Sequence, residues 1–180
     1  MTVRIAAIAA LALLLLPGAA IGASNTYSDP AMSFTAPSNY VQAAIPAHDP
    51  TDFSDPAVVA AFAANAGKVE QRVITITMEN FDGDVDGFET LSENELRTQT
   101  DGVFVKKKER TTLSNGMPAY WQEISVGTGF DEIKRFQYVW ADGVRGVTLA
   151  ISARLGEIDE ATAKRDLATA YAVLYPKNRY

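Results

Sequence analysis

The chain has 180 residues, with 22 Asp or Glu against 16 Lys or Arg, for a formal charge of −6. An acidic chain has no electrostatic reason to bind nucleic acid or an anionic lipid surface. It has no cysteine and a single histidine, His48, which excludes disulfide staples, thiolate catalysis, iron–sulfur clusters and cysteine zinc sites.

The first element has the three parts of a secretory leader: Arg4, the unbroken apolar run Ile5 to Leu16, then Pro17-Gly18 and the small residues Ala19-Ala20-Ile21-Gly22-Ala23. The run is shorter than the ~20 residues a spanning helix needs. The expectation is therefore a cleavable signal over residues 1–23, cut after Ala23 or Ala20. One mature domain over residues 24–180 follows, exported to the periplasm or beyond. No cysteine is present for lipid attachment, so no stable membrane anchor is expected after cleavage.

Residues 24–30 are polar and read as loose chain. Ala31 to Pro37 reads as a short strand, with Tyr40 to Ile45 as its partner, and His48 to Asp55 as a loop. A helix is expected from Pro56, capped by Asp55, with Val58, Val59, Phe62 and Ala66 on one face and Gly67 closing it. Gln71 to Glu79 is a strand whose Ile74, Ile76 and Met78 share a face. After the Asp-rich stretch at 82–87, a short helix is expected from Ser92 to Thr100, with Ser92 as N-cap and Glu95 at the capping-box position.

Four strands follow: Val103 to Leu113, Ala119 to Val126, Ile133 to Ala141 and Val144 to Leu155. Asn115-Gly116 and Asp142-Gly143 read as two-residue hairpin turns. The first would set Arg110 opposite Trp121 and Lys108 opposite Glu123. The second would set Phe136 opposite Leu149, Tyr138 opposite Val147 and Trp140 opposite Arg145. This face is apolar along its length, while Arg135, Gln137 and Val139 mark a more mixed reverse face. Lys106-Lys107-Lys108 reads as a charged edge that resists aggregation. A closing helix, capped by Asp159, would carry Ala163, Leu167, Ala170, Tyr171 and Leu174 as an apolar stripe before Pro176.

This order of elements resembles the PsbP/DcrB-like family of extracytoplasmic domains. The resemblance is carried by Phe34 and Pro37, by Leu113-Ser114-Asn115-Gly116-Met117-Pro118-Ala119-Tyr120, by Val139-Trp140-Ala141-Asp142-Gly143, and by the final segment to Tyr175. It implies an α+β fold: an αβα sandwich on a mostly antiparallel sheet, with a C-terminal four-strand meander followed by a helix. It also implies a non-enzymatic accessory or binding module of the cell envelope, and it brings no shared active site.

One stretch suggests a metal. Asp82-Gly83-Asp84-Val85-Asp86-Gly87, followed by Glu93, matches the calcium-loop pattern D-x-D-x-D-G-x5-E. Carboxylates at Asp82, Asp84 and Asp86, the carbonyl of Phe88 and both oxygens of Glu93 would supply the hard ligands Ca²⁺ takes. Glu89 stands where a paired EF-hand has a hydrophobic residue, and the preceding segment reads as a strand. Asp and Gly are also what a solvated turn contains.

Other catalytic signals are thin. His48 lies in an Ala/Asp/Pro loop and no G-x-S-x-G elbow exists. Glu123 and Asp142 are candidates for a glycosidase-type carboxylate pair, but nothing singles them out among 22 acids. Tyr120, Trp121, Phe136, Tyr138 and Trp140 alternate as sheet faces do, and read as core rather than as a stacking platform. The expected function is an exported accessory module that holds an envelope protein or a small ligand. The alternatives are a calcium-stabilised periplasmic protein and a hydrolase of unassigned type.

Overall fold

The computed structural model describes residues 20–22, 24–45, 47, 49 and 52–172. The apolar run Ile5–Leu16, His48, Leu174 and Pro176 lie outside them. Among the described residues no helix is long and apolar enough to cross a membrane.

The described strands are β1 (Ala20–Gly22), β2 (Thr26–Ser28), β3 (Met32–Thr35), β4 (Val41–Ala43), β5 (Ala57–Ala64), β6 (Arg72–Asn80), β7 (Val103–Thr112), β8 (Pro118–Val126), β9 (Ile133–Ala141), β10 (Arg145–Arg154) and β11 (Tyr171–Ala172). Helix α1 (Val85–Gln99) lies between β6 and β7, and helix α2 (Glu160–Asp166) lies between β10 and β11. The fold is α+β. Eight strands form one antiparallel sheet in the order β1-β4-β5-β6-β10-β9-β8-β7, and β11-β3-β2 form a second.

The two faces of the large sheet differ because side chains alternate along each strand. Ile74, Ile76 and Met78 of β6, Phe62 of β5, Trp121 of β8, Phe136 and Trp140 of β9 and Leu149 and Ile151 of β10 join one core. Met32 and Phe34 of β3 and Ala163 and Leu167 in and after α2 close this core from the other side. A three-stranded sheet and a single short helix thus stand where the sequence suggests one long terminal helix. The last α-helical bond runs from Leu167 N–H to Ala163 O; Ala168 N–H and Ala170 N–H then make tighter turn bonds to Arg165 O and Leu167 O, and the chain enters β11. Helix α1 packs on the reverse face, where Leu96 meets Val103, Ile124 and Val126.

The segment expected to be a helix from Pro56 is strand β5. It lies between β4 and β6 with seven of its eight residues buried. A strand covered on both faces loses alternation and reads as a continuous apolar run, which periodicity alone cannot separate from a helix. Neighbouring pairings change too. Val41–Ala43 pairs with β5 and β1 rather than with β3, and Thr26–Ser28, expected to be loose, is the partner of β3.

Both hairpins differ in register from the two-residue turns expected, with different consequences. Leu113 donates its N–H to Met117 O at 2.9 Å, leaving Ser114, Asn115 and Gly116 as a three-residue loop with Gly116 at φ +84°. This is the turn-plus-bulge hairpin, in which glycine takes the left-handed position. Arg110 therefore faces Tyr120, Glu109 faces Trp121 and Lys107 faces Glu123. A slip of one residue moves every side chain to the other face. In the second hairpin the central residues are Gly143 (φ +89°) and Val144, not Asp142 and Gly143. Phe136 faces Ile151, Tyr138 faces Leu149 and Trp140 faces Val147. This shift of two keeps each residue on its expected face.

Candidate functional site

The reverse face beneath α1 is the polar part of the interior. Strand β9 places Arg135 and Gln137 there, and register sets Gln122 of β8 directly opposite Gln137. Helix α1 begins at Asp84, whose side chain accepts from Gly87 N at 2.9 Å. It turns Glu89 inward onto Gln122. Glycine is required at Gly146 on this face, because a Cβ there would lie 2.0 Å from the Phe88 ring. That close approach seats the first turns of α1 on β10.

Four side chains form one hydrogen-bonded line. Arg135 Nε donates to Gln137 Oε1 at 2.6 Å, Gln137 Nε2 donates to Gln122 Oε1 at 2.6 Å, and Gln122 Nε2 donates to Glu89 Oε1 at 2.7 Å. A guanidinium only donates and a carboxylate only accepts, so the two ends dictate how both amides point. The line continues outward: Lys108 Nζ donates to Glu89 at 3.0 Å and to Glu93 at 3.2 Å, and Arg97 Nε donates to Glu93 at 2.9 Å.

The two carboxylates respond oppositely. Burial pushes the Glu89 carboxyl above its usual range, and the hydrogen bond from Lys108 does not offset it. Burial also pushes Glu93 up, but hydrogen bonds from Arg97 and Lys108 outweigh it and hold this carboxyl below the usual range. Split acids of this kind can serve as an acid and a base when they face a cleft. Here Lys108 bridges them, and neither lines the pocket described next.

The inner end of the line is incomplete. Arg135 is 4 % exposed, and its Nη1 has no hydrogen-bond partner. Burial alone shifts its pKa, down to about 10, with no contribution from a neighbouring carboxylate. It remains a cation at neutral pH. A small pocket opens beside it, between the C-terminal half of α1 and strands β6, β9 and β10. Its walls include Thr77, Glu79 and Thr148 from the sheet and Ser92, Glu95 and Gln99 from the helix. The Oε1 atom of Gln99 is also buried without a partner.

The candidate calcium ligands are spread along the start of α1. Asp82 is exposed in the loop before the helix, Asp84 is the cap, and Asp86 accepts from Tyr120 Oη at 2.9 Å. Phe88 lies in the helix with its ring buried, and Glu93 is held by Arg97 and Lys108. Asp86 and Glu93 are seven residues apart on a helix, roughly 10 Å along its axis. Among the described residues no three acidic or histidine side chains are grouped to hold a metal ion. As the fold holds them, these five do not fit one calcium ion.

The other candidates have structural partners. Glu123 pairs with Lys134 at 3.0 Å, and Asp142 Oδ1 accepts from Val144 N and Arg145 N, holding the β9–β10 turn. Trp121 stacks on Phe136 with ring centroids 5.7 Å apart, and its Nε1 donates to Glu160. It belongs to the core. In sequence, Arg135 and Gln137 mark only a mixed face. The available signal was a run of polar side chains at alternate positions of an interior strand, but the partner Gln122 becomes visible only when the β8–β9 register is known.

No protein-family model matches the chain, and no curated protein matches it. A crystal structure from Bacteroides thetaiotaomicron is similar with a TM-score of 0.49 at 12 % identity, over 84 % of this chain and 49 % of that one. A protein of unknown function from Pseudomonas aeruginosa is similar with a TM-score of 0.44 at 11 % identity, over 73 % of this chain and 74 % of that one. The chain spans about half the length of the first of these.

Proposed function

We propose that the chain is an exported, non-enzymatic binding module of the cell envelope, built as a PsbP/DcrB-like αβα sandwich, and that its binding site is the pocket between α1 and the sheet. The observation that carries this reading is Arg135: a buried cation with an unpartnered nitrogen at the wall of an open pocket. Burying a charge without a counter-charge is strongly unfavourable, and a bound ligand would relieve it. The Glu89–Gln122–Gln137 line holds that cation in one orientation, which is what a preformed binding site needs. The split pair Glu89 and Glu93 sits outside the pocket with Lys108 between the two, which favours binding over acid–base chemistry.

The leader-like stretch at residues 1–23 supports export. Fractionation of expressing cells with N-terminal sequencing of the released product tests it; a start at Ser24 or Ile21 is expected, and retention in the cytoplasm with an intact Met1 would refute it. Thermal-shift screening against a broad metabolite library tests the binding reading. Protection by at least one compound, lost in Arg135→Met, is expected. Turnover of ester, glycoside or phosphate substrates that disappears in Glu89→Gln would replace the binding reading with a hydrolytic one.

A further inference from the structure

The Nε hydrogen of Arg135 goes to Gln137 at 2.6 Å, while its Nη1 has no partner although the side chain is almost wholly buried. Burial alone acts on its ionisation, and no neighbouring carboxylate contributes. An anion from solution would supply the counter-charge that the fold does not. Gln137 occupies the Nε side, so such an anion meets the guanidinium end-on, at its Nη groups. A carboxylate presents two oxygens in one plane and matches that fork, whereas a spherical ion does not.

Size narrows the choice further. The free space of the pocket is about 40 Å³. One water-sized group needs ~10–15 Å³, so there is room for about three: a carboxylate and little more. The hydroxyls of Thr77, Ser92 and Thr148 stand in the wall and can donate to carboxylate oxygens. Gln99 Oε1 is buried without a partner, and turning that amide over would present its NH₂ to the anion instead. Glu79 and Glu95 are also in the wall, each engaged in an interaction of its own. They are not counter-groups for a ligand, and their presence disfavours a second negative charge on it. Entry is from the helix side, where Ser92 and Gln99 are half-buried.

We propose that this pocket binds one small monocarboxylate of formate or acetate size, its two oxygens on the Nη groups of Arg135. The proposal rests on the binding-module reading and deepens it by naming the ligand class. Planarity, single charge and small bulk next to the carboxylate are the three properties the site selects.

The test is an NMR titration of the full ¹⁵N-labelled chain at constant ionic strength, read on the Arg135 Nε–Hε signal and the Gln137 amide. The probes are formate, acetate, pivalate, chloride, sulfate and succinate as sodium salts, with acetamide as the neutral isostere of acetate. Formate and acetate should saturate at about millimolar concentration, the affinity that three or four non-hydrogen atoms can reach. Pivalate, chloride, sulfate and succinate should each bind at least about tenfold more weakly, and acetamide should leave both signals in place. Arg135→Met should abolish the acetate response of the Gln137 amide while its melting temperature stays level or rises, because a buried, unpaired charge is removed. Arg135→Lys keeps the charge without the planar fork and should weaken acetate about tenfold. No saturable response to formate or acetate, equal binding of any of the other four anions, a matching response to acetamide, or unchanged acetate affinity in either variant would overturn the proposal. If the metabolite screen finds a ligand of another class that depends on Arg135, the monocarboxylate assignment fails and the binding reading stands. If the small acids and the screen are both silent, both fail.

Discussion

Phe88 shows how one side chain can set the position of a helix. Its ring lies on Gly146 and against Phe81, with ring centroids 5.2 Å apart. Adding a methyl at Gly146 would force α1 away from the sheet and so disturb the Glu89–Gln122 contact. Gly146→Ala should therefore destabilise the protein by about 1–3 kcal/mol, the range for overpacking, and weaken any ligand that depends on Arg135. Chemical denaturation measures the first effect, and titration the second. At this scale the sequence was legible only in part. Which of Arg135 and Phe136 faces the apolar core follows from alternation. That Arg135 would be buried without a counter-ion does not follow, because it depends on α1 covering that face.

Helix α1 shows what motif reading misses between neighbouring levels. The D-x-D-x-D-G pattern places oxygens for a cation, yet the same residues contain an N-cap signal, and the chain uses Asp84 in that role. Asp84→Ala should cost about 1 kcal/mol, and millimolar calcium should leave the melting temperature of the parent chain unchanged against EDTA; a clear calcium-dependent rise would show the loop taking up the ion. Strand β5 makes the complementary point. Its alanines and valines match a helix face in local terms, and only the strands on both sides decide otherwise. Strands β6 to β10 were legible because alternation and turn residues agree. The one-residue slip at Ser114–Gly116 came from the choice between a two- and a three-residue loop, a choice the Asn-Gly dipeptide does not make.

At the level of the whole molecule, Glu160 links the edge strand to the core. It accepts from Lys164, Lys107 and the Trp121 indole. The hydrogen bonds from Lys164 and Lys107 hold its carboxyl down at about 2, against an ordinary value of 4.5. A group depressed in the folded state stabilises above its unfolded value and loses that contribution as pH falls. Stability should therefore decline between about pH 4.5 and pH 2, and Glu160→Gln should flatten that part of the melting-temperature profile. The small sheet carries a different kind of information. Thr169 Oγ1 accepts from Thr35 N and Tyr40 donates to Asp166, so residues near the start of the domain bond to residues near its end. A chain stopped after Leu155 lacks those partners and should stay protease-sensitive, with Met32 and Phe34 uncovered; limited proteolysis beside the full chain would show it. Folding is then governed by contacts of high sequence separation, which form late. During synthesis, the emerging polypeptide can pair the strands of its large sheet once Arg154 is out, but its second sheet closes only when Tyr171 and Ala172 follow.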